Sequence, residues 1–270
     1  MRIWYQLLSS ESAMGDVIKG TQALVNTAAS PGTTVEVHGT REGALGDDFR
    51  LFWHYDVREV IENGLRVRQS GGYDAFVIAN SLDPGLAELR EIMDIPVLSF
   101  MEVSCSTALM MGESFGLVVP NDKFAAHYKE IVTRYGMRDR LTGIEPLSYD
   151  NIRDIGPAFK AGTALAKEIV AAARRVIASG AEVVICPGPA AATMAQAGIH
   201  QIDGVPILDS YRLLVKTAEA WIGMHRLTGV HVSRRRLYRS PPPQLLEQCA
   251  RVRNMPLLRS RIADETRGAR

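Results

Sequence analysis

A cysteine and an asparagine follow two similar segments of this 270-residue chain. Residues 181–186 form a short, mostly apolar segment that ends in Cys186, and residues 75–80 form another that ends in Asn80. Each segment runs into a turn and then into the start of a helix. We interpret the two segments as corresponding halves of one duplicated plan, in which one half presents a thiol and the other an amide.

The two side chains differ in the chemistry that they can perform. A thiol beside the amides of a helix start can act as acid, base or nucleophile, because the helix dipole favours its thiolate. A lone cysteine at the end of a strand can also be a small buried hydrophobic residue, but the repeated context and the Pro187-Gly188 turn favour a function for Cys186. An amide neither gives up nor takes up a proton near neutral pH, so Asn80 cannot be a second base, but it can donate a hydrogen bond, for example to a carboxylate or an enolate oxygen.

Strands and helices alternate along the sequence and must position these residues. Apolar runs predict strands at residues 3–8, 75–80, 95–100, 115–119, 181–186 and 205–208, and an alternating, β-branched segment predicts another at residues 33–38. Helical periodicity predicts helices at residues 13–28, 57–67, 84–93, 122–135, 157–179 and 213–224. The strand segments other than 33–38 are apolar throughout, as in parallel strands that are covered on both faces. The pattern therefore predicts an α/β fold with parallel sheets and crossover helices.

Composition narrows the class of protein. Apolar residues make up 46% and charged residues 23%, which is ordinary for a soluble globular protein of one large domain or two lobes. The net charge of +1 gives no reason to expect binding to nucleic acid or to an anionic membrane. Three cysteines argue against a disulfide scaffold and for a reducing cytoplasm, and we find no signal peptide and no membrane-spanning run.

No sequence motif for a metal or a cofactor is present. The chain has no Cys-x-x-Cys pair, no His-Glu-x-x-His sequence and no glycine-rich nucleotide loop, so we expect neither a metal site nor a cofactor. Residues 231–270 are rich in arginine and poor in pattern. We interpret them as a solvated tail or as an oligomerisation arm that packs on a neighbouring subunit; a nucleic-acid patch is the alternative that the net charge does not favour.

Four segments together resemble the aspartate/glutamate racemase superfamily, nearest to its hydantoin racemase branch. They are Tyr73–Leu86 with its Asp-Pro-Gly-Leu ending, Ile95–Val97 with Glu102, Cys186–Pro189, and Val205–Asp209. Members of the family tend to have a cysteine before the Asp-Pro-Gly-Leu motif, where this chain has Asn80. The resemblance covers roughly residues 1–230.

The resemblance implies two pseudo-symmetric lobes with parallel sheets flanked by helices, and an active site in the cleft between the lobes. We expect lobe 1 to comprise residues 1–104 and 210–230, and lobe 2 to comprise residues 105–209. Residues 231–270 then form the tail or the oligomerisation arm. We also expect a small-molecule substrate, no cofactor and a homo-oligomer.

Racemases of this family place one cysteine on each face of the substrate carbon, so the resemblance leaves Cys186 as a single acid/base. His54 and Tyr55 are candidate replacement proton carriers, although a histidine in that position is also typical of a protein surface. Candidate substrate-binding residues lie at the strand ends and helix starts that the resemblance points to: Asn80, Ser81, Ser9, Ser10, Glu102, Tyr128, Pro187 and Gly188. Ser81 can alternatively be a plain helix cap and Tyr128 a packing residue.

Three functions stay open at this point. The first is a cofactor-independent isomerase or decarboxylase in which Cys186 moves a proton on a small carboxylate, carbonyl compound or cyclic amide, while Asn80 and Ser81 hold an oxygen. The second is an amide hydrolase in which Cys186 is the nucleophile and His54 or another group serves the leaving nitrogen. The third is a small-molecule binding protein without catalysis.

Overall fold

The structure is a computed structural model of the chain, and it describes residues 1–149 and 163–259. The strands are β1 Arg2–Ser10, β2 Thr34–Thr40, β3 Ala75–Ile78, β4 Val97–Ser99, β5 Phe115–Val119, β6 Leu141–Pro146, β7 Val183–Ile185, β8 Gln201–Ile202 and β9 Val205–Leu208. The α-helices are α1 Gly15–Asn26, α2 Arg50–Ser70, α3 Leu86–Ile92, α4 Phe100–Met111, α5 Asp122–Arg134, α6 Thr163–Ala178, α7 Pro189–Gln196, α8 Ser210–Thr228 and α9 Pro243–Val252. Short 3-10 turns occupy Arg138–Arg140, Arg236–Tyr238 and Pro256–Leu258.

Two sheets of the same plan make up the fold. The first sheet has the strand order β2-β1-β3-β4, and all of its strands are parallel. The second has the order β6-β5-β7-β9-β8, and it is parallel except for the short β8, which pairs antiparallel with β9. If the two-residue strand β8 is left out, both sheets have the same order: the second strand of each half lies at one edge, followed by the first, the third and the fourth. This topology confirms the predicted pseudo-symmetric α/β fold and makes β3 the counterpart of β7.

Both faces of the first sheet are covered at its central strand β3, which explains why that strand is apolar throughout. Alternate side chains of β3 enter different cores: Val77 packs into the large core that the two sheets share, and Phe76 and Ile78 pack into a smaller core beneath α2 and α3. Because side chains of a strand alternate between faces, a strand between two helix layers has no solvated side.

Helix α5 of the second half lies against the first half. Its start is capped by Asn121, whose side chain accepts a hydrogen bond of 3.0 Å from the amide of Phe124. Its buried face carries Phe124, Tyr128 and Ile131, at the spacing of an amphipathic helix. The cap and the buried face together fix the direction in which this helix presents its tyrosines.

Helices α4 and α8 tie the two halves together. Helix α4 packs against β4 in the first sheet and against β5 and β7 in the second, and it also packs against α8. The Ser104 hydroxyl donates a 2.9 Å hydrogen bond to the Ser210 hydroxyl between these helices. The expected lobe boundary between residues 104 and 105 falls inside α4, and α8 packs on α1, β3 and β4 of lobe 1.

The described part of residues 231–270 packs on its own chain. The Arg234 guanidinium donates to the carbonyl oxygens of Arg90 at 2.6 Å and of Glu91 at 3.1 Å, at the end of α3. The Gln69 side chain donates a 3.2 Å hydrogen bond to the Pro256 carbonyl oxygen. Residues 231–259 therefore differ from the expected solvated tail, because their arginine satisfies carbonyls that the end of a helix leaves unpaired. Residues 260–270 lie outside the described residues.

Several helix and strand boundaries in the structure differ from the predicted ones. Helix α2 begins at Arg50 rather than at residue 57, and α4 and β6 were not predicted. The predicted helix at 157–179 is described from Thr163 to Ala178, and residues 157–162 lie outside the described residues. Among residues 1–149 and 163–259, no helix is long and apolar enough to cross a membrane.

Candidate active site

Cys186 follows β7 directly and is fully buried. Pro187 and Gly188 are also buried, and Gly188 adopts a φ of 60°, which turns the chain from the strand into α7. In the neighbouring strand β9, Leu208 pairs with Ile185. Cys186 therefore occupies the carboxyl edge of the second sheet, where the next strand leads into the start of α8.

The thiol of Cys186 is protonated in the resting protein. Burial raises the pKa of Cys186 to about 12, and no side chain of the described residues forms a hydrogen bond with its sulfur. The expected preference for a thiolate at the helix start is thus outweighed by removal of the sulfur from water. Such a group can deliver a proton at neutral pH, but it cannot act as a standing base or nucleophile.

Asn80 lies at the corresponding position after β3, and its amide is already oriented. The Asn80 Oδ1 accepts a 2.9 Å hydrogen bond from the backbone amide of Leu82. Because only the oxygen can accept from an N–H group, this bond fixes which end of the amide is Nδ2. The Nδ2 group has no hydrogen-bond partner among the described residues, so its two N–H groups are available to a substrate oxygen.

Ser81 and Tyr128 connect this loop to lobe 2. Both residues are buried, and their hydroxyl oxygens lie 2.6 Å apart and share a hydrogen bond. Burial raises the pKa of Tyr128 far above its usual value, so the phenol stays protonated. The structure therefore brings together two of the candidate substrate-binding residues from opposite lobes.

Asp83 is a second anchor of the same loop that the sequence analysis missed. It has a φ of 50°, and its carboxylate accepts hydrogen bonds from the amides of Met101 at 2.9 Å and Glu102 at 3.1 Å, at the start of α4. The Tyr135 hydroxyl donates a third hydrogen bond to Asp83. The seven-residue spacing of Tyr128 and Tyr135 on one amphipathic stretch was the signal that could have suggested a shared target.

Three candidates lie elsewhere or are engaged in other contacts. His54 and Tyr55 are exposed on α2, Tyr55 to 65%, and the His54 ring lies 5.6 Å from that of Trp53. Glu102 forms two hydrogen bonds with the Arg90 guanidinium, of 2.7 and 2.5 Å. The structure therefore offers neither a buried position for the expected proton carriers nor a free carboxylate at residue 102.

The two serines at the end of β1 differ in their surroundings. Ser10 is buried, and its hydroxyl donates to the Arg41 carbonyl oxygen at 2.9 Å and accepts from the Ala13 amide at 3.3 Å. Ser9 is half-buried, and its hydroxyl has no partner among the described residues. Of the two, Ser9 is the one with a hydroxyl left for a ligand.

A pocket of about 290 Å³ lies between α2 and α5, beside the loop that carries Asn80. Leu82 lines it from the loop, and Arg50 and Trp53 line it from α2. A 2.5 Å ion pair between Arg50 and Glu130 closes one side by joining α2 to α5. Helices of both lobes therefore form the walls of the pocket, and the loop contributes Leu82.

Known proteins resemble this chain over most of its length. The model of the family described as Asp/Glu/hydantoin racemase matches residues 10–218. A hydantoin racemase of Pseudomonas sp. (strain NS671) is 26% identical over 211 residues, which cover 78% of this chain and 83% of that protein. In structure, an allantoin racemase from Klebsiella pneumoniae superposes with a TM-score of 0.76 at 22% identity, over 89% of this chain and 94% of its own. An allantoin racemase from Pseudomonas fluorescens gives a TM-score of 0.77 at 21% identity, over 90% and 98%.

Proposed function

The chain belongs to the Asp/Glu/hydantoin racemase family and is an isomerase of that superfamily, and we propose that it works with a single thiol. In this proposal Cys186 transfers a proton at the carbon next to a carbonyl group of a small cyclic amide. Asn80 and Ser81 hold the oxygen of that carbonyl. No cofactor takes part, because a thiol and fixed hydrogen-bond donors are sufficient for proton transfer at an acidic carbon.

One observation carries the proposal: the equivalent ends of β3 and β7 present an oriented amide and a buried, protonated thiol. A two-base racemase needs a group that exchanges a proton at both strand ends. Asn80 cannot do so, but its free N–H groups suit an oxygen that gains negative charge. The pair is therefore matched to an enol or enolate whose carbon faces the sulfur.

The proton-transfer step balances with these groups alone. The S–H bond of Cys186 breaks as a C–H bond forms at the substrate carbon, and the electron pair comes from the carbon–carbon double bond of the enol. The carbonyl re-forms, and the enol hydroxyl proton returns to sulfur. In the reverse direction the S–H proton passes to the carbonyl oxygen as the C–H proton passes to sulfur, so the thiol is protonated before and after the step. The net change is a proton shift on one face of the molecule, without inversion at the carbon.

The substrate class follows from chemistry and from the relatives. The similar proteins named above are racemases of hydantoins and of allantoin, which are five-membered cyclic amides. Their ring carbon C5 is bonded to an amide nitrogen and to a carbonyl carbon, so its proton is acidic and its enolate is planar. We propose a hydantoin-like ring as the substrate of this chain, with its C4 oxygen near Asn80.

The hydrolase hypothesis has no observation in its favour. A cysteine hydrolase needs a base within hydrogen-bond reach of the sulfur, and no histidine of the described residues forms such a bond with Cys186. His54, the residue considered for that role, is exposed on α2. The buried, protonated thiol is the reverse of an activated nucleophile.

Exchange of the C5 proton tests the proposal. Allantoin and a set of 5-substituted hydantoins are incubated with enzyme in heavy water, and loss of the C5 proton signal is followed by NMR. We expect exchange with the wild type and a fall of at least about 10³-fold for Cys186→Ala. Equal exchange by the two proteins would overturn the proposal, and a covalent adduct on Cys186 in the mass spectrum would favour hydrolysis instead.

A further inference from the structure

Tyr211 is a buried residue near Cys186 that the proposed mechanism has not yet used. It is the second residue of α8 and is 4% exposed. The strand that precedes α8, β9, lies beside β7. The pairing of Leu208 with Ile185 puts the start of α8 next to Cys186 at one sheet edge. The chain therefore leaves the sheet at neighbouring points on its way to Tyr211 and to Cys186.

Lobe 1 holds the Tyr211 ring from two sides. The ring packs edge-on against Phe100, with 5.5 Å between centroids, and lies 6.5 Å from the ring of Tyr5. The Tyr5 hydroxyl also donates a 3.0 Å hydrogen bond to the Tyr211 carbonyl oxygen. Backbone and ring are therefore both fixed, so the hydroxyl group occupies a defined place before any ligand binds.

The hydroxyl group of Tyr211 is unpaired within the part of the chain that the structure describes. No described residue forms a hydrogen bond with it, although a buried tyrosine hydroxyl ordinarily has one. A fixed, buried donor without a partner among residues 1–149 and 163–259 is a group prepared for a ligand.

The surroundings of the hydroxyl include the polar groups of the candidate site. Burial chiefly, with the nearby Asp47 and Tyr211 adding to it, raises the pKa of Tyr128. The Tyr128 hydroxyl in turn bonds to Ser81, the residue after Asn80. Burial raises the pKa of Tyr211 too, so its phenol is a neutral donor throughout the physiological range.

We propose that Tyr211 is a catalytic residue, whose hydroxyl donates a hydrogen bond to the substrate oxygen that becomes negative while Cys186 moves the proton. The inference rests on the proposed function, because it assigns a residue to that same reaction. The proton of Tyr211 stays on its own oxygen in every step. A neutral donor aimed at developing charge stabilises the transition state more than the substrate.

Tyr211→Phe removes this oxygen alone. We expect kcat for C5 exchange to fall about 100-fold with KM changed less than about threefold, as for loss of one oxyanion donor. Because the hydroxyl has no partner among the described residues, the variant should unfold at the wild-type temperature or above it. Tyr73→Phe is the matched control: its hydroxyl bonds to Glu36 at the far end of β3, and its kcat should stay unchanged. A variant that is less stable, or one with the wild-type kcat, would contradict the assignment.

Binding of barbiturate separates this inference from the proposed function. Barbiturate is a planar cyclic imide that is an enolate anion at neutral pH, and its binding needs no turnover. Titration calorimetry should give a dissociation constant about 10-fold higher or more for Tyr211→Phe than for the wild type, and a nearly unchanged one for the control Tyr73→Phe. If no hydantoin is turned over but this difference is found, only the proposed reaction fails. If the wild type does not bind barbiturate, or binds it no better than Tyr211→Phe, the assignment of Tyr211 fails.

Discussion

The hydroxyl oxygens of Ser81 and Tyr128 lie 2.6 Å apart and join the loop after β3 in one lobe to helix α5 in the other. Seven residues further along the chain, directly after the end of α5, the Tyr135 hydroxyl donates a hydrogen bond to Asp83 in the same loop. A helix of lobe 2 thus fixes the loop by which lobe 1 presents Asn80. The position of the amide therefore depends on how the two lobes meet.

The bond between Ser81 and Tyr128 should be measurable as a coupling energy. Ser81→Ala and Tyr128→Phe should each lower the free energy of unfolding by about 1–2 kcal/mol, because each leaves one buried hydroxyl without its partner. The double variant should cost little more than either single one, which corresponds to a coupling of about 1 kcal/mol. Urea unfolding of the four proteins provides the numbers. Strictly additive losses would mean that the hydroxyl groups do not interact in solution.

Asp83 makes stability depend on pH. Burial raises the pKa of Asp83 to about 6, in spite of its hydrogen bonds, whereas an unfolded aspartate titrates near 4. Between these values the folded protein holds a proton that the unfolded chain has lost, so this group lowers stability as the pH rises from about 4 to 6. The Tyr135 hydroxyl favours the ionised carboxylate, so Tyr135→Phe raises the Asp83 pKa further. The loss of unfolding free energy in Tyr135→Phe should therefore be about 1–2 kcal/mol larger at pH 8 than at pH 5.

A second tyrosine provides the control for this pH dependence. The Tyr73 hydroxyl donates a 2.7 Å hydrogen bond to Glu36, whose pKa is lowered by its hydrogen bond with Arg2. Glu36 is therefore ionised at both pH values, and the effect of Tyr73→Phe should be the same at pH 5 and pH 8. An equal effect of Tyr135→Phe at the two values would show that Asp83 does not titrate between them.

The state of the Cys186 thiol can be read from its reactivity. Because the sulfur is buried and its pKa is raised to about 12, iodoacetamide should modify Cys186 at least about 100-fold more slowly than the partly exposed Cys249 at pH 8. Peptide mass spectrometry against time gives both rates in one sample. Faster modification of Cys186 would indicate a thiolate, and with it a base or nucleophile in place of a proton donor.

Replacing the amide should restore the missing proton carrier. Asn80→Cys puts a thiol at each of the two equivalent strand ends, so we expect this variant to racemise a hydantoin that the wild type exchanges without inversion. Asn80→Ser is the control, because its hydroxyl can donate a hydrogen bond but cannot carry the proton. Circular dichroism of a single enantiomer follows the reaction. Racemisation by Asn80→Ser at the rate of Asn80→Cys would show that the second thiol is not what matters.

The sequence predicted the features that depend on local pattern. Apolar runs located the strands, and the equivalence of residues 75–80 and 181–186 is confirmed by the matching strand orders. The contacts of the site were not predictable in this way, because Ser81 meets Tyr128 across 47 positions of chain and Arg234 meets Arg90 across 144. The prediction that the helix dipole favours a Cys186 thiolate was the opposite of what burial does to the pKa of this thiol. The start of a helix can be predicted from sequence, but the extent of burial cannot.

The stereochemical course of exchange tests the single-thiol account most directly. One enantiomer of a 5-substituted hydantoin is incubated with the wild type in heavy water, and deuterium at C5 and optical rotation are measured in the same sample, against Cys186→Ala for the uncatalysed rate. The account predicts that deuterium enters while the rotation persists, because one thiol serves one face of the carbon. Loss of rotation at the rate of deuterium uptake would contradict it and require a second proton carrier opposite Cys186.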